Sequence, residues 1–228
     1  MIGADPHEKA YLAPLCVFLL FLLLAELVRS LGDGYAHWVL AEPRYWVFPL
    51  QTAVCAVLLW RLRSRYIFGP FQGLGFATLI GLLALAVWVA PQWLFGAASR
   101  TDGFNPEHFG SNNPAYFWNL SLRLLRMVVI VPLVEEIFWR GFLLRYLVNE
   151  DFSKVPFGTF TWRSFFITSF AFCLEHQFAD WPAALITGAL FNIVALRTRN
   201  LAACVLTHAV TNLALAIYIL QTRQWGFW

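Results

Sequence analysis

Val131-Pro132-Leu133-Val134-Glu135-Glu136-Ile137-Phe138-Trp139-Arg140-Gly141-Phe142 places three ionisable side chains inside an apolar run that reads as a membrane-spanning helix. One charge at bilayer depth costs about 2.5–3.5 kcal/mol on insertion scales, so such residues face a protein interior and serve a function. Glu136 and Arg140 are one helical turn apart, share a face and can pair with the acid N-terminal to the base. Glu135 lies about 100° around the helix and cannot use the same arginine in the same geometry. It is the carboxylate left over, and hence a candidate acid or base.

The rest of the chain supports a membrane reading. Its 228 residues are 60% apolar and only 13% charged, too little charge for a soluble domain of this length. Apolar stretches near the length of about 20 residues that a helix needs to cross occur at 11–31, 46–61, 72–95, 123–147, 163–178, 181–197 and 201–221. The expected fold is all-α, a polytopic transmembrane bundle of about seven to eight helices. It reads as a single domain over 1–228, with accessory helices in 1–113 and catalytic helices in 114–228 forming a polar cavity. The first stretch carries Glu26 and Arg29 with no small-residue cleavage site nearby, so it reads as a span and not as a signal peptide.

Basic residues set the expected topology. Arg61, Arg63 and Arg65 crowd one loop, Arg145, Lys154 and Arg163 flank a second, and Arg197 and Arg199 a third. The intervening loops, around 96–114 and 179–181, offer only Arg100. The positive-inside rule places the basic loops and the N-terminus in the cytoplasm, with a prokaryotic plasma membrane as the expected location. Trp46, Trp60, Trp93, Trp118, Trp162, Trp181 and Trp225 fall near segment ends, as an aromatic belt requires. Residues 114–127, with Trp118, Arg123 and Arg126, read as an interfacial stretch ahead of the descending helix, which Pro132 could kink. Cys16, Cys55, Cys173 and Cys204 show no paired spacing and read as small buried hydrophobes. A net charge of +3 on a membrane chain points to no nucleic-acid partner.

Three polar groups in the C-terminal spans need explaining: Glu135, Glu136 and Arg140; Glu175 and His176; His208 and Asn212. His208 and Asn212 are one turn apart on one face, about 6 Å along the axis. Counting 1.5 Å per residue from the basic loops puts all three groups near mid-membrane, which suggests one shared site. A carboxylate or imidazole there can take a proton from water, and an imidazole with a carboxamide can donate to a developing oxyanion. That set suffices for peptide hydrolysis. Each member also has a plainer reading. Glu136 with Arg140 could be a structural ion pair, His176 an interfacial residue, and Asn212 interhelical glue. Glu175 could be the true base, although its place near the outer surface counts against it.

Glu135-Glu136-x-x-x-Arg140, Phe172-x-x-x-His176 and His208-x-x-x-Asn212, in this order, resemble the motifs of the CPBP intramembrane proteases, which include CAAX-processing enzymes. Short members associated with exosortase-type sorting are similar in length. The resemblance implies a membrane protease in which Glu135 and His176 activate water and His208 with Asn212 form the oxyanion site. Glu136 and Arg140 would hold the architecture. Its substrate would be a membrane-associated protein or peptide, CAAX-like and lipidated or not, with the bilayer as the other partner. The family is often described as metallopeptidases. Glu135, His176 and His208 could hold zinc with an open fourth position, but the preferred mechanism requires no metal, because zinc would leave no clear second base. Trp139 stands where phenylalanine is frequent and should affect packing only. Glu175 adds a charge beside the second motif. The alternatives are a non-catalytic peptide-binding membrane protein, immunity or chaperone-like, and a proton-coupled transporter, which lacks the expected repeats.

Overall fold

Apolar side chains dominate both the inside and the outside of this chain. Leu20, Leu23, Leu79 and Phe95 are each more than 60% exposed, an outer surface that suits lipid and not water. The computed structural model describes residues 6–32 and 38–228, all helix and loop with no strand among them. We number the main helices α1 (Pro6–Leu31), α2 (Arg44–Leu62), α3 (Leu74–Phe95), α4 (114–146), α5 (Trp162–Cys173), α6 (Trp181–Thr198) and α7 (Leu201–Thr222). Of these, α1, α2, α3, α6 and α7 are long and apolar enough to cross a membrane.

Loop contacts sort into two ends. At one, Tyr66 donates to the Ala10 carbonyl (2.9 Å), the Ala202 N–H donates to the Phe68 carbonyl (2.9 Å), and the Arg145 guanidinium lies over the Phe152 ring. At the other, Tyr45 donates to the Asn105 carbonyl (2.7 Å), the Gly226 N–H to the Arg100 carbonyl (2.9 Å), and Arg223 faces Glu107. All three basic loops therefore gather at the first end. Exposed tryptophans mark both ends, with Trp60 and Trp162 at the basic one and Trp93 and Trp118 at the other. Trp225 is an exception to the expected belt, because it is buried in the core with Met127 and Ile219.

Two spans differ from expectation. The stretch expected to cross at 163–178 ends as a helix at Cys173. Its 12 residues reach only about 18 Å, short of a core about 30 Å thick. The chain then turns, with Leu174 and Phe178 exposed and Glu175 and His176 half-buried on that turn. Irregular backbone in a membrane protein is tolerated where it lines a cavity.

The second difference is in α4, which contains two wide π turns, Arg126–Ile130 and Trp139–Leu143, on either side of Val131–Phe138. π turns are rare and concentrate at functional sites. The first has a local cause. The Val131 N–H bonds to the Arg126 carbonyl, five residues back. Pro132 has no N–H to give, so the Met127 carbonyl lacks a helical donor, and the Asn212 amide of α7 fills the vacancy at 2.8 Å. The expected kink at Pro132 takes the form of this wide turn. The interfacial expectation for 114–127 holds for Trp118, which is 69% exposed, and fails for Arg123 and Arg126, which point into the bundle at 5% and 9% exposure.

Close packing fixes α7 and α6. A Cβ on Gly81 of α3 would stand 2.7 Å from the Thr207 carbonyl, and Thr211 donates to the Gly81 carbonyl (3.0 Å). A Cβ on Gly188 of α6 would press Ser169 and Phe172 of α5 at 3.1–3.2 Å. Cys55, Cys173 and Cys204 are buried as expected, whereas Cys16 lies on the outer face; all four are free thiols.

Candidate active site

Arg140 is fully buried, and each of its nitrogens has a partner. Nη1 donates to Glu136 Oε1 (3.0 Å), Nε to Asn192 Oδ1 (3.1 Å) and Nη2 to the Gly188 carbonyl (3.1 Å), while the guanidinium stacks near the Phe172 and Phe191 rings. Asn192 in turn donates to Ser169 Oγ and to the Phe165 carbonyl. A buried charge is tolerable only with such full pairing. Sequence reasoning missed Asn192 and Gly188. A lone asparagine in the apolar stretch of α6 is a visible signal, because polar side chains in spans hydrogen-bond across helices.

Glu136 carries a second partner. His208 Nδ1 lies 2.9 Å from the same Oε1 that receives Arg140, whereas Oε2 meets no hydrogen-bond donor among the described residues. A carboxylate beside an arginine only accepts, so Nδ1 of His208 carries the proton and Nε2 is turned elsewhere. The Glu136–Arg140 pair expected from one helical turn therefore extends into one connected unit, Arg140–Glu136–His208, which crosses from α4 to α7.

Beside this unit lies a cavity of about 420 Å³. Glu135, Glu175, His176, His208 and Asn212 all line it. The structure thus brings together the three polar groups that the sequence placed at one depth. Glu135 is 9% exposed, and no described side chain hydrogen-bonds its carboxylate. Its charged neighbours are Glu175, Glu136, Arg140 and Arg126. His176 directs Nδ1 to the Phe172 carbonyl (3.0 Å), which again leaves Nε2 available, and its ring packs against Trp88 and Phe172. His208 approaches the edge of the same Phe172 ring. Asn212 uses one amide N–H on the Met127 carbonyl and keeps a second N–H and its own carbonyl oxygen.

Three expectations are revised here. Trp139 does more than pack, because its Nε1–H donates to Glu175 Oε2 (3.1 Å). Glu175, discounted as a surface charge, is half-buried on the cavity wall. The polar groups do come from the C-terminal helices, but Phe18, Leu19 and Leu22 of α1 and Trp88 of α3 complete the wall. The cavity lining extends to the end opposite the basic loops, where Arg100 pairs with Asp180. Among the described residues, no three His, Cys, Asp or Glu side chains converge as metal ligands. Glu135, His176 and His208 line one cavity without converging as a ligand set.

No match was found among curated proteins or among solved structures. The family model described as Rce1-like, type II CAAX prenyl endopeptidase, matches residues 117–214. That stretch runs from near the start of α4 to the middle of α7 and holds Glu135, Glu136, Arg140, Glu175, His176, Asn192, His208 and Asn212, and over it the chain is similar to the CAAX prenyl endopeptidases.

Proposed function

We propose that this chain hydrolyses a peptide bond near the C-terminus of a membrane-associated protein or peptide, CAAX-like and lipidated or not, by activating water inside the bilayer. One observation carries the reading. Glu135 is a buried carboxylate that no side chain among the described residues hydrogen-bonds, and it faces a cavity shared with His176, His208 and Asn212. Glu135 takes a proton from water as the water oxygen attacks the carbonyl carbon and the carbonyl electron pair moves onto its oxygen. His176 orients that water through Nε2. The oxyanion receives the second Asn212 N–H and the Nε2–H of His208. When the intermediate collapses, the C–N bond breaks and the leaving nitrogen takes the proton back from Glu135.

The oxyanion role sets a condition on His208. Its Nδ1–H is committed to Glu136, so Nε2 can donate only when the ring is an imidazolium, with Glu136 as counterion. A second reading rests on that same bond. A neutral His208 backed by Glu136 presents Nε2 as a proton acceptor, and His208 would then be the base. The apolar wall of Phe18, Leu19, Leu22 and Trp88 suits an apolar or lipidated substrate segment.

The test is cleavage of lipidated and unlipidated C-terminal peptides by purified protein, with Glu135→Gln and His208→Gln beside it. On the first reading Glu135→Gln abolishes cleavage. An active Glu135→Gln alongside a dead His208→Gln would transfer the base to His208.

A further inference from the structure

Two buried arginines take no part in the chemistry above. Arg123 and Arg126, one turn apart on α4, are 5% and 9% exposed, and both line the same cavity as Glu135. Neither makes a salt bridge within 4.0 Å among the described residues. Nε and Nη1 of Arg123 are buried with no hydrogen-bond acceptor among the described residues. Its guanidinium is held by the faces of Phe48, Phe104 and Trp228, which fix its plane and leave its N–H edge unused. Arg126 lies over Phe18 and Phe48 and gives Nε to Gln51 Oε1 (2.7 Å), a neutral acceptor that is itself anchored to the Phe18 carbonyl. The third arginine of this wall, Arg100, is already paired with Asp180.

Two buried guanidinium groups with no carboxylate in contact among the described residues are costly unless an anion completes them. A guanidinium edge offers the paired donors that a carboxylate accepts in bidentate fashion. Along α4 the backbone positions of the two arginines stand roughly 13–18 Å from that of Glu135, counted at 1.5 Å per residue. An extended peptide covers that distance in about four or five residues. We propose that Arg123 and Arg126 form an anion subsite that takes the free C-terminal carboxylate of the peptide whose bond is presented to Glu135. This rests on the protease reading for the identity of the occupant, though the subsite itself does not require catalysis. A peptide is favoured over a lipid phosphate because the arginines lie on the wall of the reaction cavity and not on the lipid-facing surface. The subsite also supplies a reason for cutting near a chain end.

The test compares pools of N-acylated dodecapeptides that differ only in a C-terminal carboxylate or carboxamide, presented to full-length protein in detergent. Cleavage is read by mass spectrometry and binding by fluorescence anisotropy on Glu135→Gln protein. Wild type should prefer the acid pool by about 10- to 100-fold, the range for a charge-assisted hydrogen bond to a buried group. Arg123→Gln should lose that preference while binding the amide pool as before, and Arg123→Lys should recover part of it. Equal handling of acid and amide by wild type overturns the proposal. So does displacement of the acid pool by phosphatidylglycerol micelles at submillimolar lipid with no acid preference, which would assign the arginines to a lipid phosphate. If no peptide is cut but the acid pool still binds preferentially, the subsite stands and the protease reading falls.

Discussion

Replacing each of the two adjacent glutamates by glutamine should have opposite consequences. Glu136 accepts both Arg140 Nη1 and His208 Nδ1 on one oxygen, with zero exposure of its own side chain and of Arg140. Glu136→Gln keeps one oxygen for these donors but removes the negative charge. It also puts an NH₂ group where Oε2 now meets no partner. Breaking a buried ion pair costs about 3–5 kcal/mol. Arg140 retains Asn192 and the Gly188 carbonyl, so the lower end applies, about 3 kcal/mol. For a chain of this size that corresponds to a fall of about 6–12 °C in Tm. Glu135→Gln removes a charge that no described side chain hydrogen-bonds, so its Tm should stay within about 2 °C of wild type while turnover is lost. The assay is a thermal melt in detergent by intrinsic tryptophan fluorescence, paired with peptide cleavage. A Glu136→Gln protein that melts with wild type, beside a destabilised Glu135→Gln, would refute the assignment of the two carboxylates.

Asn212→Ala should lower kcat by about 10²–10³ with little change in KM, as expected for an oxyanion donor; unchanged kcat with a lowered Tm would make Asn212 solely the partner of the Met127 carbonyl. Asn192→Leu strands Nε of Arg140 and should cost about 1–3 kcal/mol in chemical denaturation, and a neutral result would show that water replaces the amide. Incubation with 1,10-phenanthroline should leave cleavage intact; inhibition reversed by added zinc would restore the metal mechanism. In intact cells expressing a cysteine-free background, a cysteine at 154 should escape an impermeant maleimide and one at 112 should react, and the opposite pattern would invert the topology.

The all-α membrane fold was legible because composition and segment length depend on neither packing nor partners. Glu136 with Arg140 was legible too, since one helical turn fixes their relation without help from other helices. The bond from Glu136 to His208 was not, because it depends on how α7 rotates against α4, which is set by Gly81, Thr211 and Asn212. Nor was the end of α5. Phe170-Ala171-Phe172-Cys173-Leu174 continues the apolar pattern past the point where the helix stops, and no proline or glycine marks the break. Glu175 looked superficial for the same reason, because depth was counted along a helix that had already ended. Seven tryptophans near segment ends suggested a belt, yet packing against Met127 claimed Trp225 for the interior.

The wide turn at Arg126–Ile130 acts as a phase shift. In an unbroken helix, Arg123 and Glu135 would point about 120° apart. One extra residue in a single turn takes back about 100° of that rotation and brings the two onto nearly one azimuth. The missing N–H of Pro132 thus determines which way residues upstream of it face, and the Asn212 amide latches the offset in place. A residue with an N–H at 132 would let the helix rewind to its regular pitch. Arg123 would swing toward the neighbouring helices while Glu135 stayed where it is, separating cation from carboxylate without altering either.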